Sequence, residues 1–339
     1  MDNSPRFEYR AMRLPGGRSV DLALPQPSTD PVVNAYAAGN PLNGYLVDLL
    51  QRFTQAGDRV LDLGCHVGTL SVPAAALGRR VLAVDASPLH VEAVRRAAQR
   101  NRLDDLAVRW CAVADTDGEI DFNENGLWGM VRPQTLRATP RDEAGREARG
   151  ASPALPPSAG AVAARRADTL LGEAGWSAVE FVKMDVEGSE LAAIESLGDV
   201  LASDRAPVVV YESNGMTFEI FGYDIARVRS RLEQLGYITC RVEGARLVYC
   251  PPSELQPEAW LDVVALPPRL QRSGDVVRAW DREAMVRRCL EWGTNEHRNV
   301  RQYLQRAFAS SGEYPRDDRR IASLRRDLDR EFQAGAPQR

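Results

Sequence analysis

Two carboxylates in this chain end short apolar runs, where a strand would hand its side chains to a ligand. Asp62 lies within Val60-Leu-Asp-Leu-Gly-Cys-His-Val-Gly-Thr69, and Asp85 ends Arg80-Val-Leu-Ala-Val-Asp85. The two acids are 23 residues apart. A nucleotide-binding strand–helix–strand unit places a ribose-reading carboxylate about 20 residues after its Gly-rich turn. Gly64 and Gly68 bracket such a turn. The first permits a tight bend, and the second lets a ligand or helix approach the backbone closely.

The spacing narrows the ligand. A dinucleotide turn reads G-x-G-x-x-G, but His66 stands where its second glycine would be. A phosphate-cradling loop ends in G-K-[ST], and Gly68-Thr69 lacks the lysine. What remains suits an adenosyl ligand without phosphates, which points to S-adenosylmethionine (SAM). Two alternatives stand beside it. One is a purely structural strand–helix turn. The other is an NAD-dependent oxidoreductase on a similar sheet, disfavoured by His66. On the SAM reading, Asp85 takes the ribose hydroxyls with Ala86 beside it. Asp62, Gly64, Cys65, His66 and Gly68 shape the methionine pocket, and Ala114 and Asp115 meet the adenine.

The elements that must position these groups alternate. A helix at 43–55 precedes the first strand. Strand 60–63 leads to helix 69–77, and strand 81–84 to helix 88–101, which has Ser87 as N-cap and Pro88 at its first position. A third strand spans 106–113. A fourth ends at Asp185, and a helix follows with Leu191, Ile194 and Leu197 on one stripe and Gly198 as its stop. Strand 207–212, helix 224–235 and a hairpin of 237–242 with 246–250 complete the set. Such alternation predicts an α/β fold: a doubly wound, mostly parallel seven-stranded sheet, Rossmann-like and closed by a C-terminal β-hairpin. Residues 1–55 read as an N-terminal lead-in with a helix. The SAM-binding domain reads as 56–255, and 256–339 as a charged helical extension. Residues 137–160 are rich in Ala, Pro, Arg and Gly and read as a polar insertion with too little apolar surface to fold.

A second motif carries more specificity. Phe181-Val-Lys-Met-Asp-Val-Glu-Gly-Ser-Glu-Leu191 is close to the K-x-D-V-E-G-x-E stretch of the FkbM methyltransferases. Together with the Val60–Thr69 stretch, and with Ala167-Asp-Thr-Leu-Leu and Pro207-Val-Val-Val-Tyr-Glu on its flanks, the chain resembles that family over about residues 40–250. The resemblance implies the class I methyltransferase fold, SAM as cofactor, and O-methylation of hydroxyls on small molecules, sugars or glycolipids. The polar insertion and the charged tail depart from the family pattern.

In methyl transfer the protein must hold an acceptor oxygen in line with the donated methyl. Asp185 is the residue expected to orient the methionine amine or the acceptor. Glu187 is read as a general base or as the cap of the helix that follows. His66 is read as a base or as a histidine satisfied by backbone. Tyr211, Met216, Phe218 and Phe221 would floor the acceptor pocket, or pack in the core. The site reads as metal-free, with Asp185, Glu212 and Asn214 as the one oxygen set acceptable to Mg²⁺.

The 339 residues carry a net charge of −4, with 44% hydrophobic and 27% charged residues. Nothing in that balance favours nucleic acid. No N/D-P-P-Y tetrapeptide for flipped bases follows the fourth strand, where the chain reads Asp185-Val-Glu-Gly188. No apolar run approaches a membrane span, and no signal peptide opens the chain. The five cysteines (Cys65, Cys111, Cys240, Cys250, Cys289) have no metal-ligand spacing. The expectation is a cytoplasmic enzyme without nucleic-acid or membrane partners, whose tail docks its apolar positions either on the core or on a second copy of the chain as a homo-oligomer. A SAM-fold binding module without catalysis is the third alternative.

Overall fold

A computed structural model of the chain describes residues 6–40, 44–125, 128–131, 160–214, 220–243, 246–249, 260–271 and 276–277. The chain opens on an antiparallel hairpin, β1 (Arg6–Arg13) and β2 (Ser19–Gln26), then α1 (Pro31–Ala37) and α2 (Gly44–Phe53). The expected alternation follows as β3 (Arg59–Leu63), α3 (Ser71–Ala76), β4 (Arg80–Asp85), α4 (Pro88–Asn101) and β5 (Leu106–Trp110). A smaller sheet is built from β6 (Ala112–Val113), β7 (Gly118–Asn125), β8 (Trp128–Val131) and β9 (Gly160–Arg165). Then come α5 (Ala167–Glu173), β10 (Phe181–Met184), α6 (Glu190–Ser196), α7 (Gly198–Leu201), β11 (Val208–Asn214) and α8 (Ile225–Gln234). The last strands are β12 (Ile238–Glu243), β13 (Arg246–Tyr249), β14 (Trp260–Leu266) and β15 (Val276–Val277).

The main sheet runs β5-β4-β3-β10-β11-β14-β12, then β13 and β15 at the edge. The first five strands of that order are mutually parallel, and β14 is antiparallel to both its neighbours. Those first seven are the expected mostly parallel, doubly wound sheet. The expected closing hairpin, β12–β13, does form, but the strand that reaches into the sheet is β14. Its run Trp260-Leu-Asp-Val-Val-Ala-Leu266 is nearly all apolar, as in strands covered on both faces. It lies past residue 255, where the sequence reading ended the domain.

Period-two alternation assigns the two faces. Val60 and Val81 join the core with Leu50, Val72 and Val94 of α2, α3 and α4. Leu61 and Leu82 join the opposite core with Leu170, Ile194 and Leu232 of α5, α6 and α8. Leu22 and Leu24 of β2 are fully buried in the first core, so the N-terminal segment is part of the domain body.

Three local expectations change. The strand expected over 106–113 breaks at Cys111, whose N–H donates to the Asp85 carbonyl, and the chain crosses to the smaller sheet. Gly198 does not stop its helix but opens α7. The insertion at 137–160 is outside the described residues except for Gly160, which starts β9. The charged tail beyond residue 277 also lies outside them, as do Met216 and Phe218. By contrast, α4 begins and ends where its signals place it. The Ser87 hydroxyl accepts from the His90 N–H at 3.3 Å, and Asn101 is the last helical residue.

Candidate active site

The turn after β3 is the first piece of the site. Gly64 has φ +74°, and a Cβ there would lie 1.7 Å from the Asp185 carbonyl oxygen. The turn after β3 and the start of the loop after β10 thus touch through the space a side chain would fill. His66 follows at φ +52°, a left-handed conformation that side chains seldom adopt. Gly68 serves packing: its Cβ would meet Val72 Cγ2 at 2.9 Å and Val94 Cγ2 at 3.1 Å.

Asp85, at the end of β4, is almost wholly buried. Its Oδ2 accepts from the His66 N–H at 2.7 Å, and its Oδ1 from the Ser87 N–H at 2.8 Å. His90 Nδ1 lies 3.3 Å from Oδ1. Burial opposes the charge, yet the His90 contact and the two N–H groups bring this carboxyl down to about 2. It is a carboxylate at any physiological pH, with hydrogen-bonding capacity left for a ribose hydroxyl. The rings of His66 and His90 meet edge-on at 4.3 Å, and His66 Nε2 lies 2.8 Å from Asp30 Oδ2.

A cavity of about 660 Å³ opens over these groups, at the carboxyl ends of the parallel strands. Such a crevice is where open α/β sheets bind ligands. Of the residues singled out from the sequence, Gly64, His66, Asp85, Ala86, Asp185, Glu187 and Glu212 line it. Asp62, Cys65, Gly68, Ala114 and Asp115 do not. Asp62 is fully buried beneath the turn, where it accepts from the Ser71 hydroxyl and lies 3.7 Å from Lys183 Nζ. Cys65 is also buried, its thiol pushed well up by burial. The wall expected from Ala114 and Asp115 comes from Cys111, Ala112 and Val113 instead, because the chain switches sheets at Cys111.

The far end of the cavity is acidic. Carboxylate oxygens of Asp185, Glu187 and Glu212 lie within 4.8 Å of one another. Glu187 sits at φ +50°, and its Oε2 is buried with no hydrogen-bond partner among the described residues. Burial first, then Glu212 and Asp185, pushes this carboxyl up to about 10. The capping role weighed for Glu187 is not filled, since no side chain among the described residues caps α6. Glu190, the first residue of α6, ties down the loop before the helix instead: its two oxygens accept from the Val186 and Gly188 N–H groups, each at 2.9 Å. The oxygen set weighed for Mg²⁺ also changes. Asn214 is buried and does not line the cavity, and Glu187 stands with Asp185 and Glu212 instead.

Four contributors escaped the sequence reading. Lys183 donates to the Gly64 carbonyl at 2.6 Å and lies 3.2 Å from Asp185. Burial works against its charge, but Asp185 and Asp62 outweigh that and hold the ammonium well above its ordinary range. Its place inside the second motif was the available signal. Asp262, opposite Glu212 in the β11–β14 register, also lines the cavity, and burial pushes its carboxyl up to about 7. His90 stands five residues after Asp85 in the first turn of α4, a spacing open to view. Asp30 comes from far upstream and had no local signal.

These parts fit SAM. Among the described lining residues Lys183 is the one lysine or arginine, and it is already engaged, so the cavity offers no phosphate clamp. Ala86, Val113 and Phe122 give an apolar flank for a purine, and the acids at the other end suit a cationic ligand. The fold and this pocket define a class I methyltransferase whose cofactor is SAM. The family follows from comparison with known proteins: the chain matches the methyltransferase FkbM domain over residues 62–239 and belongs to that family. It is also similar to the ribosomal protein L11 methyltransferase of Thermotoga neapolitana, 34% identical over 109 residues, which are 32% of this chain and 41% of that one. A ubiquinone biosynthesis O-methyltransferase of Methylocella silvestris is 47% identical over 47 residues, 14% of this chain and 18% of its own length. The chain thus spans less than half the length of these relatives. Among solved structures, a TehB-like SAM-dependent methyltransferase of Corynebacterium glutamicum aligns over 68% of this chain and 90% of its own, at 13% identity and a TM-score of 0.38. No helix among the described residues is long and apolar enough to cross a membrane.

Proposed function

We propose that this methyltransferase acts on a hydroxyl of a small molecule, sugar or glycolipid, with Glu187 as the general base. The observation that carries this reading is the buried Oε2 of Glu187, without a hydrogen-bond partner among the described residues, beside Asp185 and Glu212 in the cavity. SAM supplies an electrophilic methyl on a sulfonium cation. The acceptor oxygen forms a bond to that carbon as the carbon–sulfur bond breaks, and the hydroxyl proton passes to Glu187. A carboxyl held up to about 10 is a strong base once ionised, and a cation arriving nearby favours its ionised form. Asp185, fixed by Lys183 at 3.2 Å, orients the acceptor or the methionine amine. Asp85 holds the ribose. His66 is assigned a holding role, because its Nε2 is engaged by Asp30.

The acidic wall disfavours phosphate-rich acceptors, since like charges in a partly desolvated site repel strongly. The relative named for ribosomal protein L11 is matched over a shorter stretch than the family domain itself, and its acceptor is not carried over.

The test is methyl transfer from isotope-labelled SAM to a panel of hydroxylated metabolites and sugars, with ribosomal protein and RNA as competing acceptors. NMR of the product separates O-methyl from N-methyl. Label on an O-methyl ether, lost about 10²–10⁴-fold in Glu187→Gln with SAM binding retained, supports the reading. Label only on protein, RNA or nitrogen overturns it.

A further inference from the structure

The matched family domain begins at residue 62, yet one wall of the cavity comes from well before it. Pro25, Pro27, Thr29, Asp30 and Val33 all line the space over Asp85. This wall meets the turn after β3 through one carboxylate. Asp30 Oδ1 accepts from the N–H groups of Val32 and Val33, at 2.7 and 3.1 Å, and so caps α1. Its other oxygen, Oδ2, faces His66 Nε2 at 2.8 Å. The same His66 gives its backbone N–H to Asp85. A relay of contacts therefore runs from the cap of α1, through Asp30 and His66, to the carboxylate that would hold the ribose.

The relay has a physical purpose. A non-glycine residue at φ +52° costs about 1 kcal/mol or more relative to ordinary backbone. His66 stays there because both ends are held, its ring by Asp30 and its N–H by Asp85. The Asp30 and His66 side chains keep only 12% and 23% of their surface exposed, so the pair is shielded from competing water. The Asp30 carboxyl sits below its usual range: burial alone would raise it, and His66 together with the Val33 and Val32 N–H groups more than offsets this.

We infer that Asp30 is a positioning residue for the cofactor: through His66 it sets the Gly64–Gly68 turn and holds the N-terminal segment as a wall of the SAM cavity. The catalytic domain of this chain is then incomplete without residues 25–33, although the family match lies wholly outside them. Loss of the Asp30–His66 contact should weaken cofactor binding while leaving the fold in place.

Calorimetric titration of the full chain with S-adenosylhomocysteine, the demethylated product, tests this without turnover. Serine at position 30 keeps the cap of α1, since Ser and Asp cap equally well, but is too short to reach His66. Asp30→Ser is expected to lower affinity about tenfold, the order of one hydrogen bond to a charged group, with the chain still folded and its melting temperature lowered by only a few degrees. Asp30→Asn keeps both the cap and a polar contact to His66 and should return affinity to within about threefold of wild type. His66→Asn tolerates the left-handed backbone, removes the ring, and should cost as much as Asp30→Ser. The double variant Asp30→Ser with His66→Asn should lose no more than either single one, because both remove one contact. Wild-type affinity in Asp30→Ser, or losses that multiply in the double variant, would overturn the inference. Should Asp30→Ser unfold, His66→Asn decides: wild-type affinity in a folded His66→Asn chain also overturns it.

Discussion

The ammonium of Lys183 donates to the carbonyl of Gly64 at 2.6 Å, across 119 positions of sequence. The two motifs that carry the chemistry, already paired as the neighbouring strands β3 and β10, are thus also tied together by this side chain. The same ammonium lies 3.2 Å from Asp185 and 3.7 Å from Asp62. It therefore links the acid that faces the cavity with the acid buried beneath the turn.

Lys183→Met should be strongly destabilising for that reason. Asp62 is fully buried, and its Oδ1 has no hydrogen-bond partner among the described residues, so Lys183 is what balances its charge. Removing one partner of a buried pair costs about 3–5 kcal/mol, whereas removing both is far milder. Chemical denaturation should therefore find Lys183→Met unstable, and Lys183→Met combined with Asp62→Asn partly recovered. Equal instability of the two would mean that Asp62 is satisfied some other way.

Asp85 should separate cofactor binding from folding only if its shape is kept. The sequence suggests a ligand-facing acid whose removal leaves the fold alone. The structure adds two backbone N–H groups that depend on it. Asp85→Ala should thus lower stability by about 2 kcal/mol or more, as buried donors lose their acceptor, besides losing SAM. Asp85→Asn should stay nearer wild-type stability and still bind SAM at least about tenfold more weakly. Calorimetry and thermal melts on the same samples check both halves.

The acidic end makes stability depend on pH in a defined direction. Glu187 is raised to about 10, and Glu190 and Asp262 each to about 7. A carboxyl raised on folding holds its proton more tightly in the native state than in the unfolded chain. Its contribution is fully present below its unfolded value of about 4 and is lost as pH rises through its folded value. Melting temperature should therefore fall between about pH 5 and pH 9. Asp85, lowered to about 2, acts in the opposite sense and only below about pH 4. Glu187→Gln should flatten the decline and stabilise the chain by about 1–2 kcal/mol at pH 8 while lowering methyl transfer. A wild-type melting temperature that rises from pH 5 to pH 9 would count against this protonation scheme.

Much of the site's cofactor half was legible because its signals are local. Ser87 and Pro88 announce α4, Gly64 announces the turn, and Asp85 ends an apolar run. The acceptor half was less legible because its walls converge from distant segments. Asp262 faces the cavity only because β14 threads between β11 and β12, a pairing that depends on long-range register. Asp30 reaches His66 only because the β1–β2 hairpin packs on the first core and carries α1 to the cavity. The left-handed backbone at 187, and the tie from Glu190 back to the loop before α6, are not encoded in the side-chain pattern.

Gly64 and Gly222 give a controlled test of why the first motif needs its glycine. Their backbones are nearly alike, with φ +74° and +79°, so an alanine at either site carries a similar conformational cost of about 1–2 kcal/mol. They differ in what a Cβ would meet. At Gly222 nothing among the described residues lies within 4 Å, while at Gly64 the Asp185 carbonyl oxygen would be at 1.7 Å. That atom is backbone, fixed by the Asp185 N–H donating to Leu63 in the adjoining strand, so it cannot swing away. Gly222→Ala should fold, with a loss near that conformational cost alone. Gly64→Ala must push β3 and the end of β10 apart, displace Asp185 from the cavity and break the Lys183 contact. It should be insoluble, or folded with several kcal/mol less stability and no SAM binding. Soluble yield, thermal melts and calorimetry of the two variants side by side decide the point. A Gly64→Ala chain as stable as Gly222→Ala would mean the two motifs are not pressed together as described.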